Sequence, residues 1–148
     1  MITIIFYGLD QFVVGRLSRE LTESIAKLYE VKEDEVRFVA PNDLVFHNGV
    51  EQTSWDLLIH VHAPKKTALV QDEVATFLMN AIGDVAIHKT VEFYYYQETN
   101  RYQKINEQYP RFISEDNLVD VEQEYDEDLE EGEEDDQIYT GDIFESIK

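Results

Sequence analysis

The 148-residue sequence predicts an α+β fold in which two β-α-β units form a four-stranded sheet with two helices on one face. Three observations predict it. A β-branched and aromatic run is followed by apolar residues at three- and four-residue spacing and then by another such run, and this order occurs twice. The offset between paired runs is nearly constant, 34 residues from Ile2 to Val36 and 33 from Trp55 to His88. Neither unit alone is large enough to bury its helix stripe, so the two must pack together.

The first run, residues 2–7 (ITIIFY), reads as a buried strand closed by Gly8. Asp10 is placed to cap a helix whose core stripe is Val14, Leu17, Leu21, Ile25 and Leu28. Gly15 inside this helix weakens it and points to close packing or a kink. Residues 36–40 form the second strand, ended by Pro41. In residues 42–52 the pair Asn48-Gly49 signals a hairpin turn, so Leu44 to Phe46 and Val50 form a small ribbon or an ordered loop. The pattern then restarts. Residues 55–63 (WDLLIHVHA) form a strand, residues 65–82 a helix with Val70, Val74, Phe77, Leu78 and Ala81 on one face, Gly83 its C-cap, and residues 86–97 a long last strand.

Strand alternation predicts what each sheet face carries. Trp55, Leu57, Ile59 and Val61 face the helices, together with Ile87, Lys89, Val91, Phe93 and Tyr95 and with Ile2, Ile4 and Phe6. The opposite face carries Thr3, Ile5 and Tyr7, then Asp56, Leu58, His60 and His62, then His88, Thr90, Glu92, Tyr94 and Tyr96. Such an aromatic, histidine-rich surface is neither a solvent face nor a sealed core, and it marks an interface or a ligand surface. A second copy of the chain would cover it; the alternative cover is residues 101–113 folding back.

The order of elements over residues 1–100 resembles the tautomerase superfamily, and within it the two-unit subunits typified by macrophage migration inhibitory factor. The resemblance rests on Leu17-Ser18-Arg19-Glu20-Leu21-Thr22 continuing to Ile25-Ala26, and on Lys32 leading into residues 36–40. It rests further on Pro41-Asn42-Asp43-Leu44, on Phe46 with Gly49 downstream, on residues 58–62, and on residues 91–96 (VEFYYY). It implies a homotrimer whose three sheets enclose a central barrel. It also implies a pocket at the amino terminus, where family enzymes use a proline as general base with an amine pKa brought near neutrality by apolar surroundings. Here those positions hold Met1 and Ile2, so no catalytic residue is assigned. The bulk of Ile2 is expected to keep Met1 in place. Pocket candidates are Met1, Ile2, Lys32, His62, Pro64 and Glu92. Lys32 matches a family pocket lysine, Pro64 and Glu92 replace apolar and aromatic pocket residues, and a carboxylate at Glu92 disfavours an enolate or carboxylate ligand.

The remaining chemistry is mostly exclusion. With no cysteine there is no disulfide, thiolate metal ligand or cysteine nucleophile. His60 and His62 share a strand face, but a third ligand at defined spacing is wanting, so no metal and no cofactor are expected. Asp126 to Gln137 is not an EF-hand loop, because its glycine falls at position 7 and position 12 is Gln137. The serines lack a nucleophile-elbow context, and there is no glycine-rich phosphate loop. Arg16, Arg19, Arg37 and Lys32 read as solvated charge, or as a site for a small anion.

Charge divides the chain. It carries 32 acidic and 12 basic residues, a net −20 that opposes nucleic-acid binding through phosphate contacts. Residues 114–148 hold sixteen acids and one lysine (−15), whereas residues 1–113 are near −5. Domain organisation is therefore read as a tautomerase-like doublet at 1–100, an extension at 101–113 packing on its own or a neighbouring subunit, and a disordered acidic tail at 114–148. Residues 137–148 restore apolar groups and read as a loose end or as a docking motif on an acidic tether. No run is long enough to span a bilayer and no leader is recognised, so a cytoplasmic protein is expected. The first functional reading is a non-catalytic tautomerase-like homotrimer whose acidic tail serves solubility or a basic protein partner. Two alternatives stand beside it: a tautomerase with a rebuilt pocket acting on small keto-enol substrates, and a monomeric ferredoxin-like regulatory or ligand-binding module.

Overall fold

The computed structural model of the chain describes residues 1–117. Most of the acidic tail, with the readings made for residues 122–136 and 137–148, lies outside the described residues. Met1–Phe112 forms one compact unit, and of the second unit, Ile113–Lys148, the described part contains a single 3₁₀ turn at Glu115–Asn117.

The first unit is an α+β fold. Strand β1 (Ile2–Tyr7) leads through Gly8, at φ +82°, into helix α1 (Gln11–Tyr29). Glycine is required at that turn: a Cβ there would lie 2.8 Å from the Asp56 carbonyl oxygen and 3.1 Å from Val45. Asp10 caps α1 by accepting the Phe12 N–H at 2.8 Å. Helix α1 buries Val14, Leu17, Leu21 and Ile25 as the periodicity predicts, and adds Ala26 and Tyr29. The expectation for Gly15 fails, because nothing approaches its Cβ position and α1 runs through it unbroken. Packing of the rest of the stripe offsets its low propensity.

Strand β2 (Val36–Val39) lies parallel to β1, with Ile2 opposite Val36. A ribbon of β3 (Phe46–His47) and β4 (Val50–Glu51) turns at Asn48 and Gly49, both at positive φ as a two-residue hairpin loop demands. Strand β5 (Asp56–Pro64) pairs antiparallel with β1 and parallel with β6 (His88–Tyr96), which gives the sheet order β2-β1-β5-β6. The second helix is shorter than expected. Residues Lys65–Val70 form a 3₁₀ helix and only Gln71–Ile82 form α2. The Thr67 hydroxyl donates to the Pro64 carbonyl at 2.7 Å, fixing a tight three-residue turn where an α-helix would use a four-residue one. Gly83 ends α2 at φ +51°.

The core is one layer between the sheet and the two helices. From the sheet come Ile2, Ile4, Phe6, Leu57, Ile59, Val61 and Ala63, and from α2 come Val74, Leu78 and Ile82. Trp55 departs from its predicted place in this set, being 55% exposed with its ring edge-on to His88. Its strand starts one residue later, because Ser54 at φ +60° turns the backbone and Trp55 N–H bonds back to Gln52.

Replacing Ile59 by Ala is expected to cost about 2–5 kcal/mol in urea unfolding, since its side chain is sealed on all sides. The cap variant Asp10→Ala should cost about 1 kcal/mol. Leu69→Ala, at a nearly fully exposed residue, should stay within about 0.5 kcal/mol of the parent.

Candidate functional site around the amino terminus and the open sheet face

Because β1 begins at Ile2, Met1 is held at the end of the sheet beside Pro64, the last residue of the antiparallel β5. Met1 is 9% exposed, and its carbonyl accepts the Tyr96 hydroxyl at 2.7 Å. Tyr96 reaches it because the β5–β6 register sets Tyr96 opposite Pro64. The Met1 amine titrates below its ordinary value of 8.0, first through burial and then through Arg101 and Arg111, while Glu35 and Glu98 oppose the shift.

Met1 and Pro64 together line a cleft of about 1040 Å³ between the sheet end, the last turns of α1 and the start of α2. Its floor includes Tyr29, Val31 and Phe77. The Tyr29 hydroxyl is buried without a hydrogen-bond partner, and burial raises its pKa above 10. The charged wall is mainly acidic. Glu30, Glu35, Glu73 and Glu98 line it against Lys27 and Lys66. Both lysines are paired, Lys66 with Glu98 at 2.6 Å and Lys27 with Glu23 one helical turn earlier. These pairings raise each lysine pKa and lower that of its glutamate.

The other candidates lie elsewhere. Ile2 is fully buried in the core. Lys32 is exposed ahead of the 3₁₀ turn Glu33–Glu35, where its N–H bonds the Glu35 carboxylate at 3.3 Å, and it lines neither of the two clefts. His62 and Glu92 belong to the open sheet face. There His62 stacks on Tyr94 at 5.0 Å, His60 meets Tyr94 at 4.8 Å and Tyr7 at 4.9 Å, and Tyr94 donates to Glu92 at 2.7 Å. His60 Nε2 comes within 3.2 Å of Glu92 Oε2 but out of hydrogen-bond alignment, and that buried nitrogen has no hydrogen-bond partner. Burial, and then His60, lower the His62 pKa. Among the described residues no three His, Asp or Glu side chains converge as a metal site, and no helix is long and apolar enough to cross a membrane.

A second groove, of about 500 Å³, is lined by Met1, Arg37 and residues of the stretch 101–112. Sequence reading missed both this groove and the Tyr96 clasp on Met1. The alternation of residues 94–96 carried a signal for the clasp, since it sets Tyr94 and Tyr96 on the same face; nothing in the stretch after residue 100 announced where it would lie.

The chain belongs to the family described as domain of unknown function (DUF1904), whose model matches residues 1–108. A DUF1904 crystal structure from Sebaldella termitidis superposes with a TM-score of 0.63 at 18% identity, covering 70% of this chain and 95% of that one. A macrophage migration inhibitory factor-like protein from Entamoeba histolytica gives 0.55 at 7% identity, covering 70% and 95%. The macrophage migration inhibitory factor of Toxoplasma gondii gives 0.52 at 9%, covering 68% and 95%. No curated protein matches the sequence. At these identities the likeness is one of fold: an α+β subunit with a four-stranded sheet and two helices, as in the macrophage migration inhibitory factor structures.

The lowered His62 pKa makes stability pH-dependent in a definite direction. The unfolded state holds the proton more tightly, so this contribution is complete above 6.5 and is lost as pH falls through the folded-state value. NMR titration should place His62 below 6.5. The fall in urea midpoint between pH 7.5 and pH 5 should be smaller in His62→Gln than in the parent.

Proposed function

We propose that this DUF1904 protein is a non-catalytic tautomerase-fold subunit that assembles as a homotrimer through its open sheet face, in the cytoplasm. Residues 114–148 act in this reading as an acidic tail that keeps the particle soluble or engages a basic protein. The observation that carries the reading is the face itself. The rings of Tyr7, His60, His62 and Tyr94 form a contiguous aromatic surface with Leu58 beside Tyr7, and Tyr94 is 43% exposed although it sits in a sheet strand. The groove formed with residues 101–112 does not include Tyr7, Leu58, His60 or Tyr94. A surface of this kind is stabilised by a partner that removes the rings from water. A second copy is the partner the neighbours' fold suggests.

Three features support the absence of proline-type proton transfer. Positions 1 and 2 hold Met1 and Ile2, and Ile2 is sealed in the core. The Met1 carbonyl is clasped by Tyr96 and its side chain is buried, so this residue works as a structural plug for the sheet end. Glu35 and Glu98 face the cleft beside it, where an enolate or carboxylate substrate would meet like charge. The lowered amine pKa is the one feature favouring the alternative of a rebuilt tautomerase, and activity measurement separates the two.

Light scattering of the full chain should give the mass of three subunits, and Leu58→Glu should shift it toward one while circular dichroism stays unchanged. A single-chain mass for the parent would overturn the assembly and favour the monomeric ferredoxin-like module. In a phenylpyruvate keto-enol assay the rate should equal that of buffer; acceleration lost on Tyr96→Phe would establish the enzyme instead.

A further inference from the structure

The second groove has a composition at odds with the rest of the chain. In a protein of net charge −20, with only 12 lysines and arginines, this groove collects Arg37, Arg101, Lys104 and Arg111, and among the described residues no Asp or Glu lines it. Geometry draws the cations together. Arg101 Nη2 and Arg111 Nη2, the latter at 3.4 Å, both donate to the same amide oxygen of Gln103. Arg37 is held by its Nε–H on the Thr3 hydroxyl at 3.0 Å, and the Arg111 guanidinium lies 5.7 Å from the centre of the Phe112 ring. The acceptors that place these groups among the described residues are therefore the neutral Thr3 hydroxyl and Gln103 amide oxygen. The Met1 amine adjoins the same groove, where Arg101 and Arg111 both act to discharge it. Among the described residues, like charges converge in this groove with no carboxylate in its lining.

We propose that the groove lined by Arg37, Arg101, Lys104 and Arg111 is a binding site for a small multivalent oxyanion of the phosphate class. Guanidinium forks match tetrahedral oxyanions with paired donors, and two forks sharing one acceptor are set to grip a ligand that carries several oxygens. One carboxylate would neutralise only one of four cations, so the site favours a multiply charged ligand. Overall charge then sets the size of that ligand. The local positive field extends about 8 Å at physiological ionic strength, within the reach of pyrophosphate, whereas a polymeric polyanion would pass over the acidic remainder of the surface and be repelled. The groove is formed within one chain, so the proposal stands apart from the assembly and from the question of catalysis.

Calorimetry on the full-length protein, with pyrophosphate as the probe, tests it. Saturable binding is expected, weakening as salt is raised. Arg101→Gln and Arg111→Gln should each weaken it by about tenfold, and Arg16→Gln, a surface cation paired with Glu20 on α1, should leave it unchanged. Binding should take up protons near pH 7.5, seen as a dependence of the measured heat on buffer ionisation enthalpy, because an anion beside the Met1 amine restores its charge. No saturable heat, equal affinity in all three variants, or acetate binding as tightly as pyrophosphate would overturn the proposal. Each variant is checked by its urea midpoint, so that a lost fold is not taken for a lost site.

Discussion

The alternating side chains of the two central strands constrain everything else. Along β5 the residues Leu57, Ile59, Val61 and Ala63 are fully buried, while the intervening Leu58, His60 and His62 are not, and β1 repeats the pattern with Ile2, Ile4 and Phe6. One face must therefore lie under α1 and α2, because burying these side chains is the largest favourable term available to a unit of this size. A register slip of one residue would bring His60 and His62 under the helices and carry Ile59 and Val61 to the opposite face. The pairing β1–β5 is fixed in this way, and with it the position of every group at the sheet ends.

Met1 shows how that constraint reaches the candidate site. Since Ile2 and Ile4 must point to the helices, Met1 is placed at the sheet terminus between two clefts of opposite character. Toward the helices the lining is apolar with glutamates, and toward the 101–112 stretch it is cationic. The Met1 amine responds to both: burial first, and then Arg101 and Arg111, lower its pKa, while Glu35 and Glu98 oppose the shift. The terminus is a junction of unlike electrostatic surroundings, closed by the Tyr96 hydroxyl.

The net charge of −20 is misleading if it is spread over the whole molecule. Residues 1–113 carry about a quarter of it, and within them the cations are grouped. Solvated pairs such as Lys66–Glu98 and Arg16–Glu20 contribute little to stability in water. The group at Arg101 and Arg111 differs from these pairs, because among the described residues no carboxylate lines its groove.

Elements governed by local periodicity were legible from the residues themselves. The β1 bounds, the Asp10 cap, the stripe of α1, the Asn48-Gly49 hairpin and the alternation of β5 follow from the repeat of side chains along one backbone segment and from turn stereochemistry, and they needed no neighbour to specify them. Readings failed where local geometry overrode the pattern: the Thr67–Pro64 hydrogen bond shortened α2, the left-handed Ser54 turned Trp55 out of the core, Ile87 fell ahead of β6 and is exposed, and packing carried α1 through Gly15. Of the site candidates, Met1 and Pro64 meet in one cleft and His62 and Glu92 meet on the open face, while Ile2 and Lys32 join neither group. Sequence alone determined the fold class and which face is sealed, because hydrophobic alternation is a property of a single strand. Only the tertiary structure decided the Tyr96 clasp on Met1, the unpartnered Tyr29 hydroxyl and the meeting of Arg37 with Arg101 and Arg111. These join residues more than sixty positions apart or lodge a side chain among distant elements, so the path of the folded chain sets them.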